Sequence, residues 1–408
     1  MDDRIVIGMD IGSSGIYATA GKVDAIGNIE IVAKVEKLAV GIDKGRITDF
    51  DKACECLGET FKELENNLSE GISGAFITVP NGLCELVHSK GIITISNKEN
   101  KISQEDIIRV KESAKLISLP EGKKIIQLVE EMYLVDGQKV KEVPLGISGK
   151  HLELNAQVVT MDNLVFNDFE RCFSKINKKL KGIRLSCEAA SQLLIDDLDK
   201  SRGAILIDIG ASKADIAIYS GGNLVALDEV HLGGNNITND LSYCFNITIE
   251  EAEQLKVAIS RESIENVDIA KYDKNLILEV INARIEEIVG FIFKVLKGNI
   301  EKYDINNIIL YGNALINFND IKYSFSKYTA KNINIVRNED FKLHNSKFIN
   351  AWGLVTLVHF ELKWRYNSEI VYSEDVKGNA IRINKKNKNN KEDNNFITKM
   401  KSFLEDFF

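Results

Sequence analysis

A chain of 408 residues exceeds one ordinary domain and leads us to expect two lobes. Its 44% hydrophobic content is that of a globular protein with a full core, and three prolines are too few for a proline-rich linker. The net charge of −8 argues against a general nucleic-acid binder.

The N-terminus "MDDRIVIGMD" is acidic and turns directly into a strand, which does not read as a secretory signal. No apolar run approaches the ~18 residues of a membrane span. The six cysteines (54, 56, 84, 172, 187, 244) lack C-x-x-C spacing and read as buried free thiols of a reducing cytoplasm. The five histidines lack H-x-x-x-H spacing, so no transition-metal site is expected.

Residues 4–9 read as a strand and 16–23 as its hairpin partner, with a further alternating strand over 29–40. Helical spacing covers 49–68, and "GAFITVP" (74–80) is a buried-type strand. The texture changes over 81–160. Strands at "HSKGIITI", "IIQLVEEMYLV" and "LELNAQVVTM" enclose a helix at 103–117, with Ser103 and Asp106 as its capping pair. We read this as a small α+β module inserted into the first lobe. A helix is expected over 162–180, then a strand and another helix up to 198. A second hairpin begins at 204. Helices follow at 249–260 and 274–297, a strand runs into a loop at 307–316, and a helix is expected at 348–362.

After about Lys377 the chain becomes rich in lysine and asparagine without apolar period, as in a disordered linker. The last residues regain an apolar helical face made by Phe396, Ile397, Met400, Phe403, Leu404, Phe407 and Phe408. One reading docks this helix on the protein's own core. The other lays it on an anionic membrane surface, favoured by linker lysines and by Lys399 and Lys401.

The hairpins at 4–23 and 204–219 share one design: apolar strand, Asp-Ile-Gly, small polar residues, apolar strand. Such a turn brings backbone N–H groups close to a phosphate, because glycine permits close approach. The aspartate cannot hold a phosphate itself, but it can hold a hydrated Mg²⁺ that phosphates also touch. Two such hairpins facing each other would clamp a triphosphate.

Here the chain resembles the actin/Hsp70/sugar-kinase superfamily and, within it, the FtsA family of bacterial cell division over nearly its whole length. Asp10-Ile11-Gly12-Ser13-Ser14 matches the first phosphate motif, and Asp208-Ile209-Gly210 to Asp215, with Ser212 and Lys213, occupies the second. "GGNNITNDL" (233–241, with Gly233, Gly234 and Asn235) matches the adenosine-side stretch. In "AEQLK", Glu253 and Lys256 match the residues that flank the nucleoside. "IILYGNA", with Gly312 and Asn313, matches the last nucleotide loop, and "INAWGLVTL" (349–357) the small-residue helix between the lobes. Family-specific stretches are "GIDKGRITDFDKA" (41–53), "PLGISGKHLEL" (144–154) and "EVINARIEEI" (279–288).

The resemblance implies an actin-like two-lobe α/β fold of duplicated ribonuclease-H-like domains. An inserted subdomain and a C-terminal amphipathic helix complete it. Its implied division is 1–80 and 161–200 (first lobe), 81–160 (insert), 201–347 (second lobe), 348–376 (inter-lobe helix and end of the first lobe), 377–394 (linker) and 395–408 (membrane helix). It further implies ATP, with Mg²⁺ held through water by Asp10 and Asp208. The implied partners are the C-terminal peptide of FtsZ, gripped with the help of Arg284, other division proteins, the chain's own copies in a filament, and the inner leaflet at the division site. ATPase activity is expected to be weak or absent, and the catalytic residue is unassigned. Arg284 also reads as a solvated charge or an intrahelical ion-pair partner. A PilM-like pilus-assembly relative and a small-molecule kinase are the alternatives.

Three loops depart from the family pattern. Gly15 stands where lysine is usual, Ala211, Ser212 and Lys213 replace Gly-Gly-Thr, and Asn313 replaces a glycine. Lys213 has three readings: a solvated residue at a hairpin tip, a cleft cation replacing the charge missing at Gly15, or a stand-in for the bound cation; we expect the second, with a phosphate-contacting charge moved from the first hairpin to the second.

Overall fold

Alternation of apolar residues builds two sheets of the same plan. In the computed structural model, residues 5–23, 29–97, 99–140, 142–261, 271–318, 320–337 and 346–375 are described. Strands β1 (Ile5–Ile11), β2 (Gly15–Val23) and β3 (Ile29–Leu38) form an antiparallel meander. A short hairpin of β4 (Ile42–Asp43) and β5 (Arg46–Ile47), absent from the sequence reading, precedes helix α1 (Phe50–Leu68). Asp49 caps α1 by accepting from the Lys52 amide, and Phe61 and Leu64 bury its apolar face. Strand β6 (Gly74–Val79) runs parallel to β1.

The inserted module follows: β7 (Cys84–Thr94), α2 (Gln104–Lys115), β8 (Lys123–Val135), β9 (Gln138–Val140) and β10 (His151–Asp162). Its antiparallel sheet has the order β7-β10-β8-β9, and α2 packs on β7 and β10 over its own small core. Ser103 and Asp106 form the expected capping box of α2.

Helix α3 (Asn163–Lys175) ends five residues before the sequence reading ends it. Asn177 turns the chain at φ 55°, and β11 (Lys179–Leu185) then pairs parallel with β6 as the sheet edge. Lysine-rich spacing cannot reveal this switch, because an edge strand and a frayed helix end are equally polar. Helices α4 (Ser186–Leu194) and α5 (Asp197–Arg202) lead into the second sheet.

That sheet comprises β12 (Ala204–Ile209), β13 (Ala214–Ser220), β14 (Asn223–Val230), β15 (Asn307–Tyr311) and β16 (Asn332–Ile335). Its order β14-β13-β12-β15-β16 repeats the β3-β2-β1-β6-β11 order of the first. Helices α6 (Gly234–Phe245), α7 (Ile249–Arg261), α8 (Lys274–Lys302) and α9 (Ile321–Ser326) lie between β14 and β16 in sequence. The buried isoleucines of α8 fill the core of this lobe. Finally α10 (Ile349–Asp375) packs against α4, β1, β2 and β6. Gly8 and Gly353 allow this approach, since a Cβ at either would run into the backbone oxygen of Ala351 or Ala189. The expected linker 377–394 and the helix bearing Phe396, Ile397, Met400, Phe403, Leu404, Phe407 and Phe408 lie outside the described residues. Among the described residues no helix is long and apolar enough to cross a membrane.

Candidate functional site

The turns of the two hairpins face one cleft. In each, the amide after the Asp-Ile pair closes a four-residue loop: Gly12 N donates to Gly15 O (3.0 Å), and Gly210 N to Lys213 O (2.9 Å). Strand register then aligns Asp10 with Tyr17 and Glu36 in the first lobe, and Asp208 with Asp215 and Glu229 in the second. Gly15 and Lys213 are therefore structural equivalents.

Asp10 and Asp208 are held by one residue that the sequence reading does not single out. Asn350, at the start of α10, donates its carboxamide N–H groups to Asp10 Oδ2 and to Asp208 Oδ2, both at 3.2 Å. Tyr311 OH in turn donates to Asn350 Oδ1 at 3.2 Å. Thr78, on β6, donates to the other oxygen of Asp10 at 2.5 Å. Burial raises the Asp10 carboxyl above its ordinary range, against the hydrogen bonds from Thr78 and Asn350. Burial, then the nearby Asp10 and Asp215 charges, push Asp208 up to about 7. The only sequence signal for Asn350 was a polar residue in an otherwise small and apolar helix start.

Lys213 is 8% exposed, so it is not a solvated hairpin tip. Its ammonium lies 2.8 Å from Glu229 Oε2 and 3.4 Å from Asp215 Oδ1. Asp215 also accepts from the Asn81 amide at 3.0 Å, and Asn81 Nδ2 donates to Ile216 O at 2.9 Å. This network joins the second hairpin to the entrance of the inserted module. Burial and Glu229 raise the Asp215 carboxyl, while Lys213 and Asn81 oppose them.

In the first lobe, the place equivalent to the Lys213 side chain is filled. A Cβ on Gly15 would meet the Tyr17 hydroxyl at 2.8 Å and its ring at 2.9 Å. Burial and Glu36 push the Tyr17 phenol up to about 12. Glu36 takes its cation from Lys347, at 2.5 Å.

The cleft encloses about 120 Å³, lined by Asp10, Gly12, Ser13, Ser14, Asp208, Gly210, Ser212, Lys213, Gly312 and Asn313 among others. Residues 233–235, 253 and 256, expected at the adenosine side, lie beside it and are engaged with one another or with the 210–213 loop. The Gly234 and Asn235 amides donate to the Gly210 and Ala211 carbonyls at 3.1 and 2.8 Å, and Gly233 packs against the same loop. Buried Lys256 bonds Glu253 Oε2 (2.6 Å), Thr238 Oγ1 (2.9 Å) and Gly234 O (3.3 Å). Arg284 is elsewhere, forked onto Asp240 at 2.5 and 2.8 Å and paired with Glu287.

A nucleotide's phosphate end suits this space, since whole-ligand pockets run to roughly 300–1,000 Å³. Two buried carboxylates with raised proton affinity suit a hard cation such as Mg²⁺. Among the described residues no three-ligand acidic, histidine or cysteine cluster exists, so such a cation would complete its shell with water and phosphate oxygens.

Residues 82–160 match the family model described as "SHS2 domain inserted in FTSA", and residues 205–351 match "Cell division protein FtsA". Together these spans take in more than half of the chain. The chain is 24% identical over 310 residues to the cell division protein FtsA of Bacillus subtilis, covering 72% of this chain and 70% of that one. Among solved structures, the PilM-PilN type IV pilus biogenesis complex matches with a TM-score of 0.61, at 14% identity, over 86% of this chain and 97% of that chain. ADP-bound MreB5 of Spiroplasma citri matches with a TM-score of 0.52, at 13% identity, over 90% and 99%. At these identities the structural matches establish an actin-like fold and nothing finer.

Proposed function

The chain belongs to the FtsA family, whose members act in cell division, and from that premise we propose that it is an actin-like adaptor tethering FtsZ filaments to the inner face of the cytoplasmic membrane at the division site. The observation that carries the cleft's part in this reading is the pair Asp10–Asp208, one from each lobe, joined through Asn350. A ligand that bridges the pair ties the lobes together.

ATP enters with its phosphates between the loops 12–15 and 210–213. Ser13, Ser14 and Ser212 offer hydroxyls there. Asp10 and Asp208 would hold a hydrated Mg²⁺ through water, and that ion would offset phosphate charge. Glu253 and Lys256 flank the nucleoside, as in the family pattern. ATP acts as a conformational and polymerisation ligand with slow turnover; phosphate release at sugar-kinase rates would overturn that. The ADP in the MreB5 structure supports a nucleotide on this fold.

The seven-part division of the chain belongs to the same reading. In that reading residues 395–408 would be the membrane helix. Each fully buried apolar side chain contributes on the order of 1.5–3 kcal/mol, so one partly inserted tail binds reversibly. Several tails on a polymer bind firmly by effective concentration. Arg284 serves the FtsZ-peptide surface. Because it is already paired with Asp240 and Glu287, an acidic peptide would compete with or extend that network.

The deciding experiment is co-sedimentation of the full chain with anionic vesicles and an FtsZ tail peptide, with and without Mg·ATP. Joint pelleting strengthened by ATP is expected. Phe403→Glu should release the chain to the supernatant, and Arg284→Ala should lose the peptide alone. Pelleting of neither vesicles nor peptide would refute the adaptor reading. The PilM likeness supports the pilus-assembly alternative at the level of fold only.

A further inference from the structure

Lys213 is committed to Glu229 and Asp215, so a cation open to an anionic ligand must be sought elsewhere in the cleft. Three lysines line it: Lys44, Lys213 and Lys347. Lys347 is paired with Glu36. For the Lys44 ammonium no partner is found among the described residues, and the residue is exposed. We propose that Lys44, at the tip of the β4–β5 hairpin, is the phosphate-contacting cation of the cleft. This rests on the reading of the cleft as a nucleotide site.

Backbone geometry supports the assignment independently of charge. Asp43 pairs with Arg46, leaving Lys44-Gly45 as a two-residue turn with φ 49° and 76°. Such turns favour asparagine, aspartate or glycine at the first position. The hairpin between β8 and β9 obeys this with Asp136-Gly137 at φ 49° and 81°. A lysine in the left-handed region is uncommon, and strained positions gather at ligand sites.

The turn is also tied to both phosphate loops. The Lys44 amide donates to Ser13 Oγ at 2.8 Å in the first lobe. Ser212 Oγ of the second lobe donates to Asp43 Oδ1 at 3.4 Å. Gly45 presses on Pro80 so closely that a Cβ would have to displace its ring. The hairpin thus straps the mouth of the cleft, with Lys44 above the space that the phosphates would occupy.

Lys44→Asn separates the charge from the turn, because asparagine relaxes the left-handed backbone while removing the cation. The measurements are binding of Mg·ATP and of adenosine by calorimetry, with thermal melting alongside. Expected is about a tenfold loss of ATP affinity, with adenosine binding and melting temperature preserved or the latter raised. Lys44→Arg should retain ATP affinity, and the contrast should shrink at high salt, since the group is exposed. Wild-type ATP affinity in Lys44→Asn would overturn the assignment while leaving the nucleotide reading intact. Failure of the unmodified chain to bind Mg·ATP would overturn both.

Discussion

The two hairpins share one design but balance their charges differently. In the first, Gly15 leaves room for the Tyr17 hydroxyl, and Glu36 is neutralised from outside by Lys347. In the second, Lys213 neutralises Glu229 and Asp215 from within. The equivalent glutamates, Glu36 and Glu229, differ in setting: their side chains are 42% and 24% exposed, and their lysine partners 23% and 9%. A surface ion pair contributes little, whereas a buried one becomes costly when one partner is lost. The teaching is that an altered motif need not be a decayed one. Lys213 makes a buried ion cluster at the turn of the second hairpin.

The largest test of the contrast is a pH sweep. Burial and the Asp10 and Asp215 charges push the Asp208 carboxyl from an ordinary 3.8 up to about 7 in the folded chain. Its contribution to stability is full below about pH 4 and is lost as pH rises through 7, by up to about 4 kcal/mol. Urea denaturation of the ligand-free chain should show this fall, and Asp208→Asn should make it shallower, the raised Asp10 and Asp215 carboxyls keeping part of it. An unchanged slope in that variant would place the titration elsewhere.

Next, Lys213→Ala leaves two acidic groups without their cation. A loss of about 3 kcal/mol is expected by denaturant melting. A double-mutant cycle with Glu229→Gln should show coupling above about 0.5 kcal/mol. Additive losses would mean that the second hairpin's cluster is no cluster. Gly15→Lys should be destabilising by about 1–3 kcal/mol through overpacking against Tyr17. Tyr17→Ala in the same background should recover part of that loss. Smallest is Glu36→Gln, with a change of about 0–1 kcal/mol on the solvent-screened pair. A loss equal to that of Lys213→Ala would erase the difference between the lobes.

Much of the fold was legible because apolar alternation and the paired Asp-Ile-Gly turns carry it. The capping box at Ser103 and the start of α1 also lay open in the sequence. The switch from α3 to β11 did not, since lysines at 178, 179 and 181 mask the edge strand's period. In the cleft, the motif residues Asp10, Gly12, Asp208, Gly210 and Gly312 come together as their turns suggest. Asn350, Thr78 and Glu229 escaped notice, because each acts through a contact 68 or more residues away or across a strand pair. Lys44 was visible as part of "GIDKG", but its meaning depends on which other lysines are already paired.

Helix α10 has its first turn on the aspartate pair and its last near the start of the C-terminal segment. At 27 residues it is about 40 Å long. A tilt of about 5° about Asn350 would swing the far end by roughly 3–4 Å, several times any displacement at the carboxylates themselves. The near end of this rod is pinned by the Asn350 contacts to both carboxylates, so any tilt about that point is largest at the far end.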